Sequence, residues 1–175
     1  MACGPSEPEG RILANMFRMH RVFCASAWEL EGERRAFYDI LGKFNETDAM
    51  PVQVLYVPVS LTNIHDKRAY QYVVEENIRD CRHYILAVSE DWGPRERNFE
   101  RDYRLALECR ANDALPMSEI AILVRNQPDG TPSPFIETLG AAGFSGIGFS
   151  GVNDFQQAVR GLFAAWLPGD AAEPA

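Results

Sequence analysis

The chain has 175 residues, a length typical of one domain with its own core. Its 46% hydrophobic and 24% charged residues are typical of a folded globular protein and exclude wholesale disorder. With 17 Lys and Arg against 25 Asp and Glu, the net charge is −8. Sequence-independent binding to nucleic acid or to an anionic membrane surface is therefore not expected.

The four cysteines and three histidines are scattered along the chain and form no CxxC pair. This spacing predicts neither a zinc site nor a disulfide framework, so we expect no bound metal or cofactor and reduced thiols in a cytoplasmic protein. No segment approaches the ~20 apolar residues of a membrane span, and no membrane contact is expected. Residues 1–17 are predicted to form a flexible lead, residues 18–167 a single α/β domain and residues 168–175 a tail.

Strand-like apolar runs alternate with helical patterns between these termini. The first half predicts a strand at 20–25, a helix opened by a Ser-x-x-Glu capping box at Ser26 and Glu29, a strand at 52–59 and a helix at 69–81. The second half predicts a strand at 84–89, a helix at 99–110, a strand at 119–124, a short helix at 134–142, a weak strand at 144–149 and a final helix with an apolar stripe over 155–166.

The predicted strands are continuous apolar runs, which indicates a parallel sheet that is covered on both faces. Five strand-helix units predict a flavodoxin-like three-layer α/β sandwich with strand order 2-1-3-4-5. Pro58, near the end of the second strand, cannot donate a hydrogen bond to a neighbouring strand. This proline favours an edge position for the second strand.

The common phosphate and nucleophile motifs are missing from the sequence. It contains neither the GxxxxGK[ST] phosphate loop nor the GxSxG nucleophile elbow. Residues 146–151 read GIGFSG and match the dinucleotide pattern GxGxxG, but they precede the last helix instead of opening the first strand-helix unit. The pattern therefore predicts a glycine-rich turn between a strand and a helix.

Ligands of open α/β sheets bind beyond the carboxyl ends of the strands, near the point where the strand order reverses. The loops after the first and third strands should meet there. The candidate binding residues are Ser26, Trp28, Ser89, Asp91, Trp92 and Tyr103, and the candidate catalytic acids are Glu100 and Asp102. Acids in the first turn of a helix are also stabilised by the helix dipole, so a purely structural role for both acids stays open.

Two stretches of the chain resemble a known group of domains. The stretch 22–41, VFCASAWELEGERRAFYDIL, carries Phe23, Ser26, Glu29, Leu30, Glu33 and Arg34 in the pattern that opens a group of uncharacterised Toll/interleukin receptor (TIR)-like domains. The stretches NIRDCRHYILAVSEDWGP and ERDYRLALECR resemble the third strand, aromatic-glycine loop and following helix of the same group. These domains often stand at the N-terminus of bacterial NACHT/STAND-type signalling and defence proteins, and the resemblance covers about 18–124.

More distant TIR enzymes and nucleoside deoxyribosyltransferases carry a glutamate four residues before an alanine in this helix. Counting back from Ala106 gives Asp102, and Glu100 is the alternative. The two acids lie roughly 200° apart around a helix, so only one can face a given pocket. The resemblance implies cleavage of the N-glycosidic bond of NAD or a related nucleotide, with one of these acids as catalytic residue. Glu33 and Arg34 are interpreted as a helix-surface pair or a clamp on a neighbouring loop.

A second hypothesis is left open by the aspartate in place of the family glutamate. The Asp102 side chain is one methylene shorter than the glutamate of TIR enzymes, and an error of about 1 Å in the position of a catalytic group can lower the rate about 100-fold. The chain would then be a non-catalytic interaction or nucleotide-sensing module that acts by self-association. In both hypotheses the expected partners are a nucleotide ligand and a second copy or a neighbouring signalling protein.

Overall fold

The computed structural model describes residues 17–59, 67–93 and 95–172, without the side chains of residues 67–69 and 96. The strands are β1 (Arg18–Ser26), β2 (Val54–Val59), β3 (His83–Val88), β4 (Glu119–Arg125) and β5 (Gly146–Phe149). All neighbouring strands are parallel and the order is β2-β1-β3-β4-β5, which confirms the predicted topology. Pro58 lies on β2, at an edge of the sheet as predicted.

The helices are α1 (Glu31–Phe44), α2 (Lys67–Arg79), α3 (Phe99–Arg110), α4 (Pro134–Ala141) and α5 (Val152–Ala172). Helix α1 packs against α5 on one face of the sheet, and α2 packs against α3 on the other. The result is a three-layer α/β fold of the flavodoxin-like kind. Every residue of β3 is buried, because both of its faces are covered by helices. Within the described residues, no helix combines the length and the apolar character needed to cross a membrane.

The predicted capping box at Ser26 is wrong. Strand β1 continues through Ser26, which pairs with Ala87 of β3, so this serine is extended and its side chain caps no helix. A short 3-10 turn at Trp28–Leu30 follows, and α1 begins only at Glu31. Pairing with the central strand therefore overrides the local capping signal.

The tail predicted at 168–175 is also wrong for the residues that the structure describes. Helix α5 continues through Pro168 to Ala172, because Asp170 is anchored in the core. The predicted lead at 1–17 lies outside the described residues up to position 16. The GIGFSG segment forms β5 and the turn into α5, as predicted, and Gly151 adopts a φ of +108° that side chains other than glycine rarely tolerate.

Two strands, β2 and β5, begin two residues later than the sequence prediction, for local reasons. Strand β2 begins at Val54 instead of residue 52, because Met50–Val52 forms a 3-10 turn and Gln53 is left-handed, with a φ of 61°. Strand β5 begins at Gly146, where a Cβ atom would lie 3.0 Å from Leu139. Glycine at this position thus allows α4 to pack closely on the edge strand.

A buried polar cluster ties the end of α5 to the sheet. The Asp170 carboxylate is 1% exposed and accepts hydrogen bonds from the Tyr56 hydroxyl (2.7 Å) and Arg82 Nε (3.0 Å), and it contacts His83 Nε2 at 2.8 Å. The Trp166 ring stacks on His83, with ring centres 4.7 Å apart. Burial alone would raise the pKa of Asp170, but the hydrogen bonds from His83, Tyr56 and Arg82 outweigh it and lower the pKa to about 2.

The substitution Asp170→Asn should lower the free energy of unfolding by about 2–4 kcal/mol at pH 7, because it leaves buried donors without their charged acceptor. Urea melts of both proteins measure this loss. The folded-state pKa lies below the unfolded value, so the stabilisation is present above about pH 4 and is lost as the pH falls towards 2. A difference between the two proteins that stays constant down to pH 2 would contradict this account.

Candidate functional site

The loops after β1 and β3 meet at the carboxyl edge of the sheet, as the strand order predicts. The backbone N–H of Ala27 donates to the carbonyl of Ala87 at 3.1 Å, and the Ser89 hydroxyl donates to Glu29 at 3.1 Å. These contacts hold the two loops together over the strands that end there. Cavities lie on both sides of this junction.

The first cavity has a volume of about 400 Å³ and is named here the Asp102 cavity. It lies beside the ends of β1 and β2, under α2 and α3. Its lining residues are Phe23, Cys24, Ala25, Ser26, Arg34, Tyr38, Val59, Tyr70, Val74, Arg97, Phe99 and Asp102. The Ser26 hydroxyl at its wall is buried and has no hydrogen-bond partner among the described residues.

The second cavity, named the Arg125 cavity, has about 470 Å³ and lies beyond the ends of β3, β4 and β5. It is lined by Ser89, Glu90, Arg125, Asn126, Gln127, Pro128, Gly130, Ser150 and Gly151. The Arg125 guanidinium in this cavity forms an ion pair with the buried Glu33 of α1, so its charge is already balanced. The larger cavity therefore offers less unsatisfied charge to a ligand than the Asp102 cavity.

Asp102 is the buried acid of the site. It is 3% exposed, and burial raises the pKa of its carboxyl to about 6, against the lowering effect of a hydrogen bond from Gln71 (3.1 Å). Glu100 lies on another side of α3, pairs with Arg104 at 2.8 Å and lines a more open pocket of about 420 Å³ beside Trp92. Of the two candidate acids, Asp102 is the one that faces the Asp102 cavity.

Two arginines line the same cavity. Arg34, on the first turns of α1, forms no ion pair with the residues that the structure describes, and neither does Arg97, whose guanidinium donates to the Tyr70 hydroxyl at 3.3 Å. The neighbouring Arg35 instead pairs with Glu31 on the helix surface. Arg34 and Arg97 thus present positive charge to the cavity in a chain whose net charge is −8.

The structure separates the sequence-predicted binding residues. Ser26 lines the Asp102 cavity and Ser89 lines the Arg125 cavity. Trp28 is 67% exposed, and Asp91 accepts a hydrogen bond from the backbone N–H of Gly93 at 2.6 Å. Trp92 and Tyr103 pack together with Phe135 and Phe144 in an aromatic cluster beside α4. Of the predicted set, Ser26 and Asp102 share the Asp102 cavity, whereas Trp92 and Glu100 line a separate, more open pocket.

Sequence reasoning missed most of the polar lining. Glu33 and Arg34 do not form the predicted surface pair: Glu33 is buried against Arg125, and Arg34 faces the Asp102 cavity. Glu33 and Arg34 are adjacent in the sequence, and the way α1 packs on the sheet decides that one contacts Arg125 and the other the Asp102 cavity. Arg97 and Gln71 carry no local signal, since each belongs to the site only because α2 and α3 pack together.

The chemistry that the Asp102 cavity can perform follows from its side chains. Cys24 lines the wall, but burial raises the pKa of its thiol to about 12, so it is protonated at neutral pH and is a poor nucleophile. Within the described residues, no group of three His, Cys, Asp or Glu side chains is placed to hold a metal ion. The cavity instead combines one carboxylate with two guanidinium groups, a combination suited to an anionic ligand beside a developing positive charge.

Comparisons with known proteins add no relative: no family model matches the chain, and no curated protein is significantly similar to it.

The substitution Asp102→Asn should raise the free energy of unfolding by about 1–3 kcal/mol at pH 7, because it removes a carboxylate that is ionised against the cost of burial. The folded-state pKa lies above the unfolded value, so the native state loses stability as the pH rises from about 4 to 6 and keeps that penalty above 6. The gain should therefore disappear below about pH 4. Urea melts across this range measure it.

The matched control is Glu100→Gln on the same helix. Glu100 is paired at the surface, so this variant should change stability by less than about 0.5 kcal/mol. Equal effects of the two substitutions on the free energy of unfolding, or a loss of stability in Asp102→Asn, would contradict the conclusion that the buried Asp102 carboxylate destabilises the fold.

Proposed function

We propose that the chain is a TIR-like domain whose Asp102 cavity binds a phosphorylated nucleotide and cleaves its N-glycosidic bond, with NAD as the candidate substrate. The observation that carries the proposal is a buried carboxylate that shares a cavity with two arginines, neither of which pairs with an acid in the described part of the chain. The family resemblance supports it, because Asp102 has the register of the glutamate in TIR enzymes. The parallel sheet and its strand order also agree with a fold of this class.

The proposed reaction uses Asp102 as an ionised carboxylate. The bond between the ribose C1′ and the nicotinamide nitrogen breaks, and its electron pair leaves with the nicotinamide, which becomes neutral without needing a proton. The ribose carries the positive charge in the transition state, and the Asp102 carboxylate stabilises that charge or orients the ribose hydroxyls. Water adds to C1′ and releases one proton to Asp102 or to solvent.

The two arginines supply the binding part of the proposal. A guanidinium donates parallel hydrogen bonds to phosphate oxygens, and it stays charged at every physiological pH. Arg34 and Arg97 reach the cavity from α1 and from the turn before α3, so they can hold the diphosphate of a dinucleotide from two sides. Tyr38, Tyr70 and Phe99 provide aromatic surface for a base or a nicotinamide ring.

Incubation of the full chain with NAD should release nicotinamide, measured by chromatography. Asp102→Asn should abolish the release and Glu100→Gln should leave it within about twofold, because only Asp102 faces the cavity. The rate should rise between about pH 5 and 7 as Asp102 loses its proton. A wild-type chain that releases no nicotinamide, even under crowding that forces assembly, would contradict NAD cleavage.

Binding is tested separately with ADP-ribose, which carries the diphosphate without the scissile bond. Arg34→Gln and Arg97→Gln should each weaken binding by about tenfold in calorimetry, since each removes one charged contact to phosphate. The control is Arg35→Gln, next to Arg34 and paired with Glu31 at the surface, which should bind like the wild type. Equal losses of ADP-ribose affinity in all three variants would show that Arg34 and Arg97 act only through the overall charge of the protein and make no specific phosphate contact.

The alternative function is a nucleotide-sensing module that acts by self-association. The exposed aromatic residues favour it: Trp28 is 67% and Tyr72 65% exposed, and each offers a flat apolar contact to a second copy or to a neighbouring signalling protein. ADP-ribose binding without nicotinamide release, together with ligand-dependent sedimentation of an oligomer, is the result that selects this alternative.

A further inference from the structure

A chain of side-chain amides leads from the start of α3 to the buried acid. Asn98 donates through Nδ2 to Gln71 Oε1 at 3.3 Å, and Gln71 donates through Nε2 to Asp102 Oδ1 at 3.1 Å. Gln71 lies on α2, whereas Asn98 and Asp102 belong to the α3 segment. The two helices thus share a polar contact at the wall of the Asp102 cavity.

The orientation of the Gln71 amide is fixed by its neighbours. Its oxygen accepts the Asn98 donor, so its nitrogen must face the two carboxylates beside it, Asp102 and Glu75, the latter at 3.2 Å. The reversed amide would place its oxygen against both acids and lose both hydrogen bonds to them. Each hydrogen of the amide nitrogen therefore serves one carboxylate.

Asn98 has the backbone geometry of a residue that is held in place. Its φ is +53°, in the left-handed region, and although it stands at the N-cap position of α3 its side chain caps no helix N–H. The amide reaches across to Gln71 instead. A residue type that normally caps a helix is here used to orient the glutamine.

We propose that Gln71, held by Asn98, is the positioning residue of the site: it fixes one oxygen of Asp102 and leaves the other oxygen directed to the ligand. This inference rests on the function proposed for Asp102, and it adds a role for α2 that the family resemblance does not give. Oδ2 of Asp102 accepts no hydrogen bond from the described residues, which agrees with a free functional oxygen.

Other ionisable groups also act on Asp102 and must stay constant in a test. Arg101 on α3 lowers the pKa of Asp102 and Glu75 on α2 raises it. The charge of Asp102 in turn contributes to the raised pKa of Tyr84 on β3. Arg34 and Arg97 line the cavity from α1 and from the turn before α3. A Gln71 variant leaves Arg101, Arg34 and Arg97 unchanged. It also removes the amide donor from Glu75, which keeps its ion pair with Arg101. Asn98→Gly leaves the Gln71 donor to Glu75 in place and therefore separates the two effects.

The test is the titration of Asp102 followed by carboxyl ¹³C NMR on the full chain. Gln71→Met keeps the side-chain volume and removes the donor, so the titration midpoint of Asp102 should rise by about one pH unit. Asn98→Gly removes the second amide while tolerating the left-handed backbone, and should raise the midpoint by a smaller amount. If Gln71→Met fails to fold, the Asn98→Gly variant still tests the positioning role of Gln71.

The matched control is Gln157→Met, the same substitution at an exposed position of α5, which should leave the midpoint of Asp102 unchanged. Folded Gln71→Met and Asn98→Gly variants with the wild-type midpoint would overturn the positioning role. The titration needs no substrate, so its outcome is independent of NAD cleavage. If NAD is cleaved, Gln71→Met should shift the acid limb of the kcat profile upward by the same amount and change KM less than twofold.

Discussion

Parallel pairing of β1 with β3, from Val22 opposite His83 to Ser26 opposite Ala87, joins two distant parts of the chain. It reverses the strand order, since β2 lies on the outer side of β1, and it brings the loops after β1 and β3 to the same edge. Both cavities flank that edge. The pairing also extends β1 through Ser26 and so prevents that serine from capping α1.

Asp170 and Asp102, two of the three buried acids among the described residues, have opposite environments. Asp170 is surrounded by donors from Tyr56, Arg82 and His83, and its pKa falls to about 2, so its ionised form stabilises the packing of α5. Among the described residues Asp102 has one side-chain donor, the Gln71 amide, and burial raises the pKa of Asp102 to about 6. A carboxylate that is buried with so few partners costs stability, and such costs are concentrated at functional sites.

Helix α3 shows how one element distributes its residues among different environments. Tyr103 turns to the aromatic cluster with Trp92, Glu100 stays at the surface with Arg104, and Asp102 faces the cavity. Helical geometry separates the two acids, because Glu100 and Asp102 are two residues apart and lie about 200° from each other around the helix. Trp92 packs against Tyr103 and Phe135, so it is not part of the Asp102 cavity. The aromatic surface of that cavity comes from Tyr38 on α1, Tyr70 on α2 and Phe99 of α3 itself.

The sequence by itself determined the five strand-helix units and their parallel order, because apolar runs and helical spacing are local properties of the chain. Asp102 was preferred to Glu100 only through the resemblance of this helix to that of TIR enzymes. The sequence also determined the turn at 146–151, since only its position in the chain decides what that glycine pattern means. Tertiary structure alone decided that Arg34, Arg97 and Gln71 join Asp102, that Glu33 turns to Arg125, and that α5 continues past Pro168. These outcomes depend on contacts between elements that are remote in the chain, and no local pattern encodes which of two adjacent side chains will face a cavity.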